Sequence, residues 1–199
     1  MDVVTFQLVK AQHKKYMKAR LETNDTRVLQ AVCAMIDETI TPHVTAAQRE
    51  QFFATIDSEQ AANWFSAVKE QVTPYDMPTE AALKKHFKRE KKLKLPKQLL
   101  SDYVVFVSWD DPTQMKRYIV HNERAIVGVL EKKLTKGICA ICNEHRDTVL
   151  FTVKTKSGAD GQYTKNSRYI CAQAYECNAA ITEEARITQF MIDMQQQAS

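Results

Sequence analysis

The chain is poor in glycine and contains no phosphate-binding loop. Only four of its 199 residues are glycine, and none belongs to a GxxxxGK[ST] sequence, so a P-loop nucleotide-binding protein is excluded. The five histidines are scattered along the chain. No pair of carboxylates is placed for acid–base chemistry, and no nucleophile accompanies a base. The sequence therefore predicts a binding protein and not an enzyme.

Long apolar runs are also missing. None approaches the roughly 18 to 20 residues that a membrane-spanning helix needs. The first residues, MDVVTFQLVKAQHKKYMKAR, do not have the basic start and apolar core of a secretory signal. The apolar fraction of 44 % is nevertheless enough for a packed core. We expect a cytoplasmic protein, in which cysteines are metal ligands or free thiols more often than disulfides.

Four of the five cysteines form two close pairs. Cys139 and Cys142 are followed by Cys171 and Cys177 in a C-x2-C-x28-C-x5-C pattern, whereas Cys33 stands alone in the first half. Four thiolates suit a tetrahedral Zn²⁺ ion with no open coordination position. The pattern therefore predicts one structural zinc ion, and it argues against a zinc enzyme, which needs an open position.

Two other interpretations of the cysteines are weaker. His145, three residues after Cys142, is a competing ligand, but four sulfurs already complete the coordination shell. A thioredoxin-like dithiol requires the C-x-x-C sequence to open a helix, and here the pair precedes a predicted strand. We therefore keep the four cysteines as the predicted ligand set.

The sequence changes character along its length. Residues 1–78 contain four amphipathic helical segments with short connections, which predicts a small helical bundle. The predicted N-terminal caps of its last three helices are Asp25, a Thr45–Gln48 capping box and Ser58. In residues 98–199, β-branched and aromatic runs such as YVVFVSW and TVLFTVKT alternate with turn signals, which predicts strands. There the cysteine pair, the hairpin and the helix follow in the order of a treble-clef zinc finger. The predicted fold is α+β, a helical bundle followed by an α/β domain with a treble-clef-like four-cysteine zinc finger.

Residues 79–97, predicted as a basic helical connector, carry the net charge of the chain. They contain eight basic and two acidic residues, whereas the whole chain has a formal charge of +4. Leu83 and Phe87, four residues apart, predict a docking face with the lysines turned to water. The cluster is either a solvated helix face or a seat for an acidic protein or RNA phosphates. Its members are Lys84, Lys85, Lys88, Arg89, Lys91, Lys92, Lys94 and Lys97.

The motifs around the cysteines carry a family resemblance. They are KGICAICNE, VLFTVKTKSGADGQYTKN, RYICAQAYECN and ITQFMIDM, preceded by the basic ALKKHFKREKKLKLPK. In these segments the chain resembles the FusB-type fusidic acid resistance proteins, also called elongation factor G-binding proteins. The resemblance implies a non-enzymatic protein, which we expect to be monomeric, that binds elongation factor G through its zinc half. It further implies release of the factor from the ribosome, giving fusidic acid resistance or aiding ribosome recycling.

The resemblance also implies a set of partner-binding residues around the zinc site. Tyr169 and Phe190 match the family's tyrosine before the third cysteine and its phenylalanine in the last helix. Ile138 stands where the family has an aromatic residue, and Asn166 stands where it has lysine, with Lys165 beside it. On residue pattern alone, core packing remains the alternative for Tyr169 and for Phe190.

A second class of function stays open. The lysine-rich connector and the aromatic residues Tyr163 and Tyr169 are also compatible with a zinc-finger RNA-binding module. The two functions differ in salt dependence, because RNA binding weakens steeply as salt rises through counterion release.

Overall fold

The computed structural model of this chain describes residues 1–96, 104–157 and 162–196. It contains helices and an antiparallel sheet, so the predicted α+β class is confirmed. The chain divides into two compact units, Met1–Thr73 and Pro74–Ser199. Within the described ranges, no helix is both long enough and apolar enough to cross a membrane.

The first unit consists of four helices with side-chain caps. They are α1 (Val3–Glu22), α2 (Thr26–Ile40), α3 (Ala46–Ala54) and α4 (Ser58–Lys69). Asp25 caps α2, and Thr45 forms a capping box with Gln48 at the start of α3, as the sequence pattern predicts. The pattern places the cap of α4 at Ser58, but Asp57 occupies that position and its carboxylate accepts from the Gln60 amide.

The core of the first unit contains a connected cluster of aromatic rings. Phe52 is fully buried and meets Trp64 edge to face at a centroid distance of 5.6 Å. His13 packs against Phe52 in the same way at 5.1 Å. The Nε2 atom of His13 lies 2.6 Å from the hydroxyl of Thr55. This histidine is therefore a hydrogen-bonded core residue, and burial lowers its pKa.

The described residues of the second unit form a six-stranded antiparallel sheet and three helices. Its strands run in the order β1-β2-β3-β5-β4, and β6 pairs with β5. The strands are β1 (Val107–Asp111), β2 (Lys116–His121), β3 (Arg124–Leu130), β4 (Thr135–Ile138), β5 (His145–Ser157) and β6 (Gln162–Cys171). The helices are α5 (Glu80–His86), α6 (Ala174–Asn178) and α7 (Glu184–Gln195).

Alternation of side chains gives the sheet two differently covered faces. On one face, Tyr118 of β2 packs beneath Phe87, which directly follows α5. On the other face, Phe151 of β5 meets Phe190 of α7. Gly128 of β3 permits this packing, because a Cβ atom there would lie 2.6 Å from the Phe151 ring. The sheet therefore lies between helix α7 and residues 80–95, which comprise α5 and the chain after it and are called the α5 segment.

The segment predicted as a connector is packed into the second unit as far as it is described. Leu83 is fully buried, and the ring of Phe87 meets Trp109 edge to face at 5.6 Å. The indole Nε1 of Trp109 donates a 3.0 Å hydrogen bond to the carbonyl of Lys94. Residues 80–95 are therefore tied to β1 and β2 by apolar and polar contacts. Lys97, the last predicted member of the basic cluster, lies outside the described residues.

Candidate metal centre and partner surface

Four cysteine side chains converge in the second unit. Cys139 and Cys142 lie in the turn between β4 and β5, Cys171 ends β6, and Cys177 lies in α6. All four are buried, and their Sγ atoms lie within 4.8 Å of one another. The two cysteine pairs, distant in the sequence, thus come together in one cluster of four sulfur atoms.

The sulfur atoms are separate thiols and not disulfides. Sγ of Cys139 lies 3.7 Å from that of Cys177, and Sγ of Cys142 lies 3.5 Å from that of Cys171. A disulfide bond would be only about 2.05 Å long. The turn itself is tight, because Asn143 adopts a positive φ of 61° and its amide donates to the Cys139 carbonyl at 2.9 Å. Asparagine tolerates this left-handed conformation better than most residues do.

Protonation of the four thiols is unequal. Hydrogen bonds from Cys142, Cys171 and Cys177 lower the pKa of Cys139. Hydrogen bonds to Cys139 and Cys142 raise the pKa of Cys171 and of Cys177. Four thiolates can therefore coexist here only around a cation that offsets their charge. The cluster could hold one metal ion.

The competing ligand His145 does not belong to the cluster, and neither does Cys33. His145, at the start of β5, is exposed and is not among the grouped side chains. Cys33 lies in α2 of the first unit, where it is half-buried. Burial raises the pKa of its thiol. The described residues therefore group only the four predicted cysteines at this centre.

Arg117 connects the cysteine cluster to the sheet. The side chain is 2 % exposed and donates to the carbonyls of Cys171 and Ala172, both at 2.7 Å. The guanidinium also binds both carboxylate oxygens of Asp110, at 2.6 Å and 2.8 Å. A bidentate pair of this kind fixes geometry as well as charge. Arg117 was not among the residues predicted from the sequence, although a charged residue at the start of the apolar run RYIVH was a detectable signal.

Asn178 performs a similar task on the helix side of the cluster. Its side-chain oxygen accepts from the amides of Val105 and Phe106, at 2.8 Å and 3.1 Å. The amide nitrogen donates to the Phe106 carbonyl at 3.0 Å. This buried asparagine directly follows Cys177, so it holds helix α6, which contains that cysteine, against the chain that enters β1. No sequence signal identified it.

The predicted partner-binding residues divide between the two sides of β6. Lys165 and Tyr169 project to the open side, with Ser167 between them, and Tyr169 is 45 % exposed. Ile138 is 62 % exposed at the end of β4. The amide of Ala140 donates to the Tyr169 carbonyl at 2.8 Å, which brings the first cysteine pair beside this tyrosine. Ile138 and Tyr169 are therefore accessible residues next to the cluster.

Asn166 and Phe190 have internal contacts instead. The side-chain nitrogen of Asn166 donates to the carbonyls of Met194 and Gln196, at 3.2 Å and 2.7 Å, and so caps the C-terminus of α7. Phe190 is 4 % exposed, and its ring centroid lies 6.2 Å from that of Phe151. Phe190 therefore lies in the core, as the alternative interpretation predicts, and Asn166 is a helix-capping residue.

Replacing Asn166 with alanine should destabilise the second unit by about 1 to 2 kcal/mol, because carbonyls at the end of α7 would lose their donor. Urea unfolding of the metal-loaded protein measures the change. Lys165→Ala is the matched control, since this neighbouring side chain is exposed, and its effect should stay within about 0.5 kcal/mol. Equal effects of the two substitutions would contradict a capping role.

Comparisons with known proteins give a match at the level of structure. No protein-family model matches the chain, and no curated protein sequence does. Among solved structures, the one titled "Structure of the fusidic acid resistance protein FusC" aligns with 98 % of this chain and 97 % of its own. The TM-score is 0.85 and the sequence identity is 24 %. The resemblance predicted from the cysteine motifs is therefore confirmed in the fold, which this chain shares with FusC over essentially its whole length.

Proposed function

We propose that this protein binds elongation factor G, promotes its release from the ribosome, and thereby protects translation from fusidic acid in the cytoplasm. The observation that carries the proposal is the match to a fusidic acid resistance protein along nearly the entire chain. The sequence motifs around the cysteines supply independent support, because they are a property of the sequence whereas the match is one of fold. On this proposal the protein acts by binding and not by catalysis.

We infer that the cysteine cluster holds one structural Zn²⁺ ion. Zinc binds thiolates tetrahedrally at about 2.3 Å, which places neighbouring sulfurs about 3.8 Å apart. The separations of 3.5 Å and 3.7 Å are close to that value. With four sulfurs bound, the ion would have no open position, so its role would be to join the cysteine turn, the β5–β6 hairpin and α6 into a treble-clef-like finger.

The contact with elongation factor G is assigned to the surface beside this centre. Ile138 and Tyr169 would act as exposed apolar anchors, a type of residue that dominates binding energy at interfaces. Lys165 faces Lys154 directly across the β5–β6 ladder. Like charges in such a pair repel each other, so an acidic region of the factor would relieve the repulsion. Tyr175, 59 % exposed and two residues before Cys177, is a third exposed apolar residue close in sequence to a cysteine of the cluster.

A binding protein can counteract the drug only through differential affinity. The drug holds the factor on the ribosome, and a ligand shifts such an equilibrium only if it prefers the release-prone state. A shift from 1:99 to 99:1 requires about 10⁴-fold preference, or about 5.5 kcal/mol. A surface with two or three anchors can supply energy of that order, and a smaller shift would still accelerate release.

The decisive experiment measures the rate at which labelled elongation factor G departs from ribosomes stalled by fusidic acid. Adding the zinc-loaded protein should accelerate departure. Tyr169→Ala should weaken factor binding by about 2 kcal/mol, because an interface anchor is truncated, and should slow departure accordingly. Tyr163→Ala is the matched control. This tyrosine is also exposed on β6 but lies about 20 Å further along the strand, and its loss should have little effect.

Two results would contradict the proposal. One is an unchanged departure rate when the folded, zinc-loaded protein is present in excess. The other is chemical modification of the drug recovered after the assay, since a protein that acts by binding leaves the drug intact. Normal binding by the Tyr169 variant would refute the assignment of the surface but not the activity.

A further inference from the structure

We infer that the α5 segment of the second unit binds the sugar–phosphate backbone of an RNA duplex. The basic surface consists of six cations whose side chains form no ion pair within the described ranges: Lys85, Lys88, Arg89, Lys91, Lys92 and Lys94. The acids of the same segment are already engaged. Glu80 pairs with Lys84 at 3.3 Å, and Glu90 pairs with Lys116 at 2.6 Å. Lys94 lies close enough to the carboxylate of Asp111 for the two opposite charges to interact, so the uncompensated charge is that of the other five cations.

The backbone that carries this charge is fixed before any ligand binds. Leu83 and Phe87 anchor its first half in the core under the segment. The carbonyl of Lys92 accepts from Gln114 at 3.2 Å, and that of Lys94 accepts from Trp109 at 3.0 Å. A solvated linker would need neither contact. The segment therefore presents its cations on a rigid support, which reduces the ordering entropy lost on binding.

The chemistry of the surface favours phosphates over an acidic protein. Protein interfaces need an exposed apolar or aromatic core, but the apolar residues here are turned inward: Phe87 is 5 % exposed and Leu93 is partly buried. Five of the six cations are lysines, which bind phosphate as point charges and do not need the paired geometry that arginine offers to carboxylates and phosphates alike. Non-specific binding of a repeating phosphate backbone requires only such an array of cations.

The same composition favours a duplex over a single strand. Single-stranded nucleic acids are bound by stacking their bases on exposed aromatic side chains. Residues 84–94 expose no phenylalanine, tyrosine or tryptophan ring, since Phe87 is buried, and His86 is a single exposed imidazole. Contacts are therefore restricted to the backbone and should not depend on sequence. The choice of RNA over DNA rests on the proposed function, because a protein that acts on ribosome-bound elongation factor G works beside RNA helices.

The test is fluorescence anisotropy of a labelled RNA duplex of about 16 base pairs, titrated with the full-length, zinc-loaded protein at several salt concentrations. Two duplexes of unrelated sequence should bind equally well. The variant Lys88→Gln/Lys91→Gln should lower affinity about tenfold at low salt and reduce the salt slope by about 2. The matched control is Lys132→Gln/Lys133→Gln, which removes the same charge from exposed residues between β3 and β4 and should retain wild-type binding.

Four outcomes would overturn the inference. They are undetectable binding of either RNA duplex at low salt, an equal loss in the control variant, tighter binding of a DNA duplex of the same sequence, and tighter binding of polyglutamate of equal charge. The last would assign the basic surface to an acidic protein instead. Binding of purified elongation factor G, measured in parallel, separates the two proposals: it should survive in the Lys88/Lys91 variant, and loss of RNA binding alone leaves the proposed function standing.

Discussion

Replacing Cys139 with serine should abolish metal binding and unfold the second unit. Sγ of Cys139 lies 3.7 Å from that of Cys177 and accepts backbone amides from Ile141 and Cys171, so this sulfur is central to the cluster. Structural zinc in small domains contributes about 10 to 16 kcal/mol of binding energy that exists only in the folded state. The free energy lost with the zinc ion should therefore be as large as the free energy of unfolding of a typical domain, about 5 to 15 kcal/mol.

Metal content by mass spectrometry and thermal unfolding monitored by circular dichroism measure these effects. The wild-type protein should contain one zinc per chain, and the Cys139 variant none, together with loss of the β-sheet signal. Cys33→Ser is the matched control, because this thiol is half-buried in the first unit and does not belong to the cluster. A zinc-free wild type, or zinc lost from the Cys33 variant, would refute the ligand assignment.

Replacing Phe190 with alanine should destabilise the second unit by about 3 to 5 kcal/mol. The ring is buried between α7 and the sheet, and its removal would leave a cavity beside Phe151 in addition to the lost burial. Denaturant unfolding measures the change, and Phe190→Leu should lose less because it retains most of the apolar volume. Any weakening of elongation factor G binding should then follow the fraction of unfolded protein.

The comparison with Tyr169→Ala makes this prediction decisive. Tyr169 is 45 % exposed, so its truncation should leave stability nearly unchanged and weaken factor binding directly. Phe190→Ala should show the opposite profile at a temperature where the variant remains folded. If Phe190→Ala kept wild-type stability and lost factor binding, the phenylalanine would be a direct contact, which would require a different position of α7.

Local signals in the chain were sufficient for most of the elements and for the grouping of the four cysteines. A helix cap depends on residues within one turn, so Asp25 and the Thr45–Gln48 box could be recognised directly, although Asp57 took the place predicted for Ser58. The four cysteines were identifiable for a related reason. The four ligands of one zinc ion must lie together in space, so two close pairs of cysteines predict one site whatever path the chain takes between them.

The roles of individual residues around the site depended on contacts between distant parts of the chain. Asn166 and Phe190 belong to the family-derived set by position, yet one caps α7 from β6 and the other fills the space beneath it. Arg117 lies 54 residues from the Cys171 carbonyl that it binds. A residue pattern records periodicity and spacing along the chain. Which face of β6 stays open, and which side chains α7 covers, follow only from how the helices and strands pack together.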